Sequence, residues 1–465
     1  MYSAASPLPD QTDRSTSDWQ NLDKSHHIHP FTDPKYFDDR GVRIITHGDG
    51  CYLWDSDGNK ILDGMAGLWC VNIGYGNREL IDVAARQMEI LPYCNTFFQT
   101  ATPPQIELAA RIADLTPGDL NHVFFANSGS EANDTVIRLV RHYWKIRGES
   151  NRRIFIGRNK GYHGSTLAAV SLGGMQAMQN FDGTVLPDFA HIMEPHWYAH
   201  GGDMSVEDFG VAAAQKLEDK ILELGPENVA AFIGEPVQGA GGVIDPPMTY
   251  WGEIQRICRK YGIVLVADEV ICGFGRLGEW FGSQYFGIEP DIICMAKGLS
   301  SGYLPISAIA INTDISKTLH EGGAIVHGYT YSGHPVSCAV AQANLNIIER
   351  EGLVEKVRQE TIPYFRACLN DLADDHPIIG EARGAGLLGA LELVQDKSRK
   401  TPFAAADGAA MFCRDAALDK GLVMRAVDQA MILCPPLIIS KSQIDELIDI
   451  SRRALDDTAL KFGLL

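Results

Sequence analysis

Five short apolar runs in the middle of the chain constrain its fold most. They read RRIFIGR (152–158), AAFIGEP (230–236), GIVLVADEV (262–270), DIICMAK (291–297) and SAIAIN (307–312). Their apolar residues are mostly consecutive rather than alternating, which suits strands covered by helices on both faces. A further short run, Val123 to Phe125, precedes a helical pattern from Ser130 to Arg147 that puts Val136, Leu139, Val140 and Tyr143 on one face. Strands alternating with helices over about 105–325 predict an open, mostly parallel α/β sheet. In such sheets ligands lie beyond the carboxyl ends of the strands.

Either side of this region the texture differs. Residues 1 to about 30 are polar and predict an irregular arm. Short strands follow at Val42–Ile45 and Cys51–Trp54, with the turn Asp57-Gly58-Asn59 leading into Lys60-Ile61-Leu62. After residue 335 a helical pattern, Val336–Glu351, gives way to helices alternating with short strands such as Leu387–Leu393 and Ala430–Leu433. The expected organisation is an N-terminal arm and small-domain segment (1–75), a large ligand-binding domain (76–335) and a smaller C-terminal α+β domain (336–465).

Composition narrows the partners. The net charge of −19 opposes non-specific binding to nucleic acid or an anionic membrane. The ten cysteines form no C-x-x-C pair and no zinc-finger spacing, as expected of free thiols in a reducing cytosol. The first thirty residues lack the basic start and apolar core of a secretory signal. No apolar stretch approaches ~18 residues. A cytoplasmic location is therefore expected.

Chemistry-bearing residues follow the strands. Ser128-Gly129-Ser130-Glu131 opens a helix after VFFAN, where backbone N–H groups and the helix dipole favour a phosphate, although a simple N-cap reads the same way. Tyr162-His163-Gly164 offers an aromatic for stacking. Glu235-Pro236 precedes a glycine-rich loop, Gln238 to Gly242. Asp268 ends one buried strand, where a carboxylate needs a partner, and Lys297 ends another. Each signal is weak alone. A phosphate site, a stacking face, a carboxylate for a ring nitrogen and an amine for a Schiff base are together the requirements of pyridoxal 5′-phosphate.

The blocks SGSEAND (128–134), YHG (162–164), EPVQGAGG (235–242), ADEVICGFGR (267–276), AKGLSSGYLP (296–305) and TYSGHP (330–335) resemble the class III pyridoxal-phosphate-dependent aminotransferases. GMAGLWCVNIGYG (64–76) and GLVMRA (421–426) are similar to the amine:pyruvate, or omega, branch that includes the putrescine:pyruvate enzymes. The resemblance implies a fold type I homodimer with active sites shared between subunits, a tetramer remaining open. It implies no metal and a ping-pong transfer from a primary amine or diamine to pyruvate. It assigns Lys297 as the Schiff-base lysine and proton carrier, Asp268 as partner of the ring nitrogen and Glu235 as its neighbour. By the same resemblance Tyr162 and Val270 would flank the ring, with His163 beside them. Ser128, Gly129 and Ser130 would hold the phosphate, and Thr330 would reach it from the other subunit. Arg425 is implied to bind the acceptor's carboxylate. Ala240 stands where ornithine- and 4-aminobutyrate-type relatives carry a glutamate, and Ile271 where they carry a glutamine. Both departures favour a freely swinging Arg425 and pyruvate over 2-oxoglutarate. Trp69 with Phe97 or Phe98 would form an apolar wall. β-Alanine or another omega-amino acid remains an alternative donor, and an aminomutase, racemase or decarboxylase an alternative reaction.

Two patterns are set aside. GAGLLG (384–389) matches a dinucleotide fingerprint, but a β-like run follows it where a helix is required. His26, His27 and His29 suggest a metal cluster, yet they sit in a polar arm without evident further ligands, so a solvated or entrance-loop role is expected.

Overall fold

The computed structural model describes residues 14–37, 41–183 and 185–465. At its centre is a seven-stranded sheet in the order Leu120–Ala126, Ser307–Asn312, Ile292–Met295, Val264–Asp268, Val229–Gly234, Ile154–Arg158, Phe189–Ile192. All five apolar runs are strands of it. Only Ser307–Asn312 runs antiparallel to its two neighbours. The remaining neighbour pairs are parallel. Val229–Gly234, Val264–Asp268 and Ile292–Met295 are buried along their whole length, which explains their unbroken apolar sequences. The helix Gly129–Ile146 packs one face with Val136, Leu139, Val140 and Tyr143. The helices Val206–Leu224 and Met248–Tyr261 and the sheet share another apolar core.

Two smaller sheets flank this one. Ile45–Asp49, Tyr52–Asp55 and Lys60–Asp63 form antiparallel pairs, and Leu422–Val423 joins Lys60–Asp63 in parallel. N-terminal and C-terminal segments are thus hydrogen-bonded into one sheet. The other runs Ile379–Arg383, Gly389–Asp396, Ala430–Leu433, Arg425–Val427, with Thr401–Pro402 pairing the far end of Gly389–Asp396.

Three expectations are corrected. Residues 16–26 of the supposed irregular arm form a helix, Thr16–His26, started by a capping box between Ser15 and Asp18. None of its residues is buried, so it carries no apolar periodicity to reveal it. The strand expected at Val42–Ile45 begins only at Ile45. That expected at Leu387–Leu393 starts at Gly389, after a turn in which Leu387 N–H donates to the Arg276 carbonyl. Residues 1–13 of the arm lie outside the described residues. All ten cysteines are free. Among the described residues no helix is long and apolar enough to cross a membrane.

Candidate active site

The carboxyl ends of the central strands bring Asp268, His163, Glu235, Tyr162, Val270 and Lys297 together with the start of the helix Gly129–Ile146. Asp268 is 2% exposed. Its Oδ2 faces His163 Nδ1 at 2.7 Å and accepts from Asn133 Nδ2 at 2.9 Å, while Oδ1 accepts from the Val270 N–H at 3.2 Å. The sequence predicted that this carboxylate needs partners. It did not single out Asn133, whose amide also donates to the His163 and Gly129 carbonyls. The available signal was an asparagine one turn into an apolar helix, within SGSEAND. His163, 3% exposed, lies against Asp268 and is a support of that carboxylate.

Glu235 ties two strand-end loops together. Its Oε1 accepts from the Tyr162 N–H and its Oε2 from the Gly239 N–H, both at 3.0 Å. Burial raises its pKa, against the pull of His163 and Arg158. Arg158, 1% exposed, donates from Nη2 to the Glu235 carbonyl and rests over the rings of Trp251 and Tyr250. Among the described residues its Nε and Nη1 have no hydrogen-bond partner. Sequence reasoning passed it over because an arginine ending a strand reads as a surface residue.

The helix start is shaped by close approach. Ser128 is the N-cap, its Oγ accepting from the Glu131 N–H at 3.2 Å, so the capping role expected of this motif falls to it. Ser130 Oγ accepts from the Ser165 N–H at 3.0 Å. Gly164 has φ +136°, and a Cβ there would lie 2.4 Å from Ser130 Oγ. A Cβ on Gly129 would lie 3.2 Å from both methyl carbons of Val270. Absence of side chains at these two positions leaves room at a helix N-terminus facing a buried carboxylate.

Lys297 follows Ile292–Met295 in a short 3-10 turn with φ +45°, an uncommon backbone state for a residue with a side chain. Its Nζ lies 5.1 Å from the centre of the Trp69 ring, and no hydrogen bond from a described residue holds it. Burial lowers its pKa, with Asp268 opposing. Trp69 is 2% exposed, has φ +59° and leaves its Nε1–H without a partner among the described residues. Its loop is laced by Asp63, whose carboxylate accepts from the N–H groups of Met65 and Gly67 and from Tyr75 Oη. Arg425, on the strand Arg425–Val427, places its guanidinium carbon 4.9 Å from the centre of the Trp69 ring. It has no ion pair among the described residues, and burial lowers its pKa. Ala240, 3% exposed, shares the apolar cluster of Trp69 and Ile271, with Tyr162 packed against it.

Two expected residues stand apart in the single chain. Phe98 is 90% exposed, with φ +56°, and lies outside the Trp69 cluster. Thr330 is exposed in the loop before the helix Pro335–Arg350, where its carbonyl accepts from Tyr93 Oη.

The donor set fits a phosphorylated, carbonyl-bearing aromatic cofactor. An amine without hydrogen bonds, a buried carboxylate with an imidazole behind it, and a helix N-terminus kept open by Gly129 and Gly164 converge there. The sequence matches the family model for aminotransferase class-III over residues 37–455. It is 56% identical over 448 residues to the putrescine–pyruvate aminotransferase of Pseudomonas aeruginosa, spanning 96% of this chain and 98% of that one. It is 40% identical over 455 residues to the mitochondrial gamma aminobutyrate transaminase 1 of Solanum lycopersicum, spanning 96% and 88%. Among solved structures, the omega transaminase from Pseudomonas jessenii in complex with PMP superposes with a TM-score of 0.93 at 43% identity, over 96% of this chain and 99% of that one. A thermostable (S)-enantioselective omega-transaminase from Thermomicrobium roseum gives 0.93 at 41%, with the same shares of each chain.

Proposed function

This chain belongs to the class III aminotransferases, which use pyridoxal 5′-phosphate, and from that premise we propose that it moves an amino group from a primary amine or diamine of the putrescine type to pyruvate by ping-pong exchange. The observation that carries the acceptor side is Arg425. It lies on the Trp69 ring without a carboxylate partner among the described residues, in a pocket where position 240 is alanine. A guanidinium held only by a ring face can bind an incoming carboxylate bidentately and withdraw when a cationic or neutral amine enters. The 56% identity to an enzyme named for putrescine and pyruvate supports the same substrate pair.

The cofactor, when bound, supplies an electron-withdrawing ring that stabilises negative charge at the substrate's reacting carbon. Lys297 is the residue that would carry it and, once released, move the proton at that carbon. The burial that lowers the Lys297 pKa favours the neutral amine that both tasks need. Asp268, fixed by His163 and Asn133, would hold a proton on the ring nitrogen. Tyr162 and Val270 would flank the ring, and Glu235 fixes the Tyr162 loop through the backbone. Gly129 and Ser130 would receive the phosphate at the N-terminus of an 18-residue helix, where its dipole favours an anion.

The test separates the half-reactions. Arg425→Ala is expected to lower kcat/KM for pyruvate about 100-fold, the worth of a charge-assisted bidentate contact of about 3 kcal/mol. Formation of pyridoxamine phosphate from putrescine is expected to stay within about threefold. Equal losses in both halves would remove Arg425 from acceptor recognition. In the wild type, pyruvate is expected to outperform 2-oxoglutarate; the reverse ranking would overturn the proposed acceptor.

A further inference from the structure

We propose that Asp23, His27 and His29 form a binding site for a divalent transition-metal ion of the zinc class, separate from the active site. Asp23 lies in the last turn of the helix Thr16–His26, and His27 follows it by four residues, so the two side chains share one side of the helix end. The chain then leaves the helix in an extended conformation at His27 and returns His29 to the same carboxylate. His27 Nδ1 and His29 Nε2 each lie 3.0 Å from Asp23 Oδ1, and His29 Nε2 lies 2.8 Å from Oδ2. One ligand atom from each residue falls within a common 4.8 Å of the others. His26, though in the same sequence run, is not part of the group.

Two imidazole nitrogens converging on one carboxylate oxygen is the arrangement of a two-histidine, one-carboxylate site in which N–H protons stand where an ion would sit. Zinc binds imidazole nitrogen and carboxylate oxygen at about 2.0–2.2 Å, so tetrahedral ligand atoms lie about 3.4 Å apart. The observed spacings differ from that by small side-chain movements, with water to fill the fourth position. The His29 ring is backed by Phe37, ring centres 4.8 Å apart, which limits its freedom before any ion arrives. The helix itself has no buried residue, and its ties to the body include Thr16 Oγ1 with Ser56 Oγ and Gln20 Nε2 to the Val42 carbonyl. An ion joining its last turn to the following segment would fasten an element that lacks an apolar anchor.

The experiment uses tag-free, metal-stripped enzyme loaded with pyridoxal phosphate. Zinc chloride is titrated calorimetrically, and zinc is counted per chain after desalting. One zinc per chain is expected for the wild type and for His26→Ala. Binding weaker by at least about tenfold is expected for His29→Ala, Asp23→Asn and the exposed His27→Ala. Transamination should persist in all four, which shows them folded. Failure of the wild type to bind zinc, or equal zinc retention by His29→Ala and wild type, overturns the site.

Discussion

Lys297 sits where three demands meet. Its side chain is half-buried, its backbone is left-handed, and the ring of Trp69 lies on one side of it. Burial lowers its pKa below the ordinary 10.5, and that shift couples folding to pH in the cofactor-free protein. Between the folded value and 10.5 the unfolded chain holds a proton that the native state has released, so stability rises with pH across that window. Below the folded value both states are protonated, and the native state bears the full cost of a desolvated ammonium. Lys297→Met removes this cost. Its advantage in melting temperature over the cofactor-free wild type is expected to grow as pH falls from about 10 and to level off once the folded amine is protonated. Each unit inside the window is worth up to about 1.4 kcal/mol. An advantage unchanged across this range would mean that the amine is not desolvated. The lysine and aspartate were legible in the sequence because charges at the ends of apolar strands are costly and therefore conspicuous. Asn133 was not, since it carries no charge and its partners Asp268 and His163 come from other elements far away in sequence.

At the scale of elements, the helix Gly129–Ile146 and the Tyr162 loop interlock through glycine. A Cβ at Gly164 would strike Ser130 Oγ at 2.4 Å and Ser130 Cα at 2.6 Å, and φ +136° suits no residue with a side chain. Gly164→Ala is therefore expected to move the loop off the helix start, costing at least about 2 kcal/mol of stability. It should also let dialysis strip the cofactor, read by loss of visible absorbance, while far-ultraviolet circular dichroism stays unchanged. Retained absorbance would show that this contact does not shape the phosphate end. The main strands were legible because burial on both faces leaves little choice but continuous apolar residues. The strand Phe189–Ile192 was not, since three of its four residues are only half-buried at the sheet edge. The helix Thr16–His26 was missed for the opposite reason: it buries nothing, and only its capping box marks it.

For the whole molecule, the exposed apolar surface is the observation that needs a cause. Ile90, Phe98, Val326 and Tyr331 are 70%, 90%, 85% and 59% exposed. The two segments that carry them are held together, Tyr93 Oη donating to the Thr330 carbonyl and Thr96 Oγ1 to the Ser332 carbonyl. Tyr93 and Tyr331 also meet edge to face, with ring centres 5.8 Å apart. Phe98 and Gln99 both have positive φ, so the loop is strained as well as uncovered. An ordered, strained apolar patch of this kind is a candidate interface. We propose that a second copy of the chain covers it, as the resemblance implies. Phe98 and Thr330, which stand apart from the site of their own chain, would then reach the partner's. The enzyme is expected to sediment as a dimer or a larger assembly. Ile90→Asp combined with Val326→Arg places a charge of each sign in the patch and is expected to yield a monomer that keeps its secondary structure but loses most of its transaminase activity. A fully active wild-type monomer, or a double variant that becomes monomeric without losing activity, would show that each chain completes its own site.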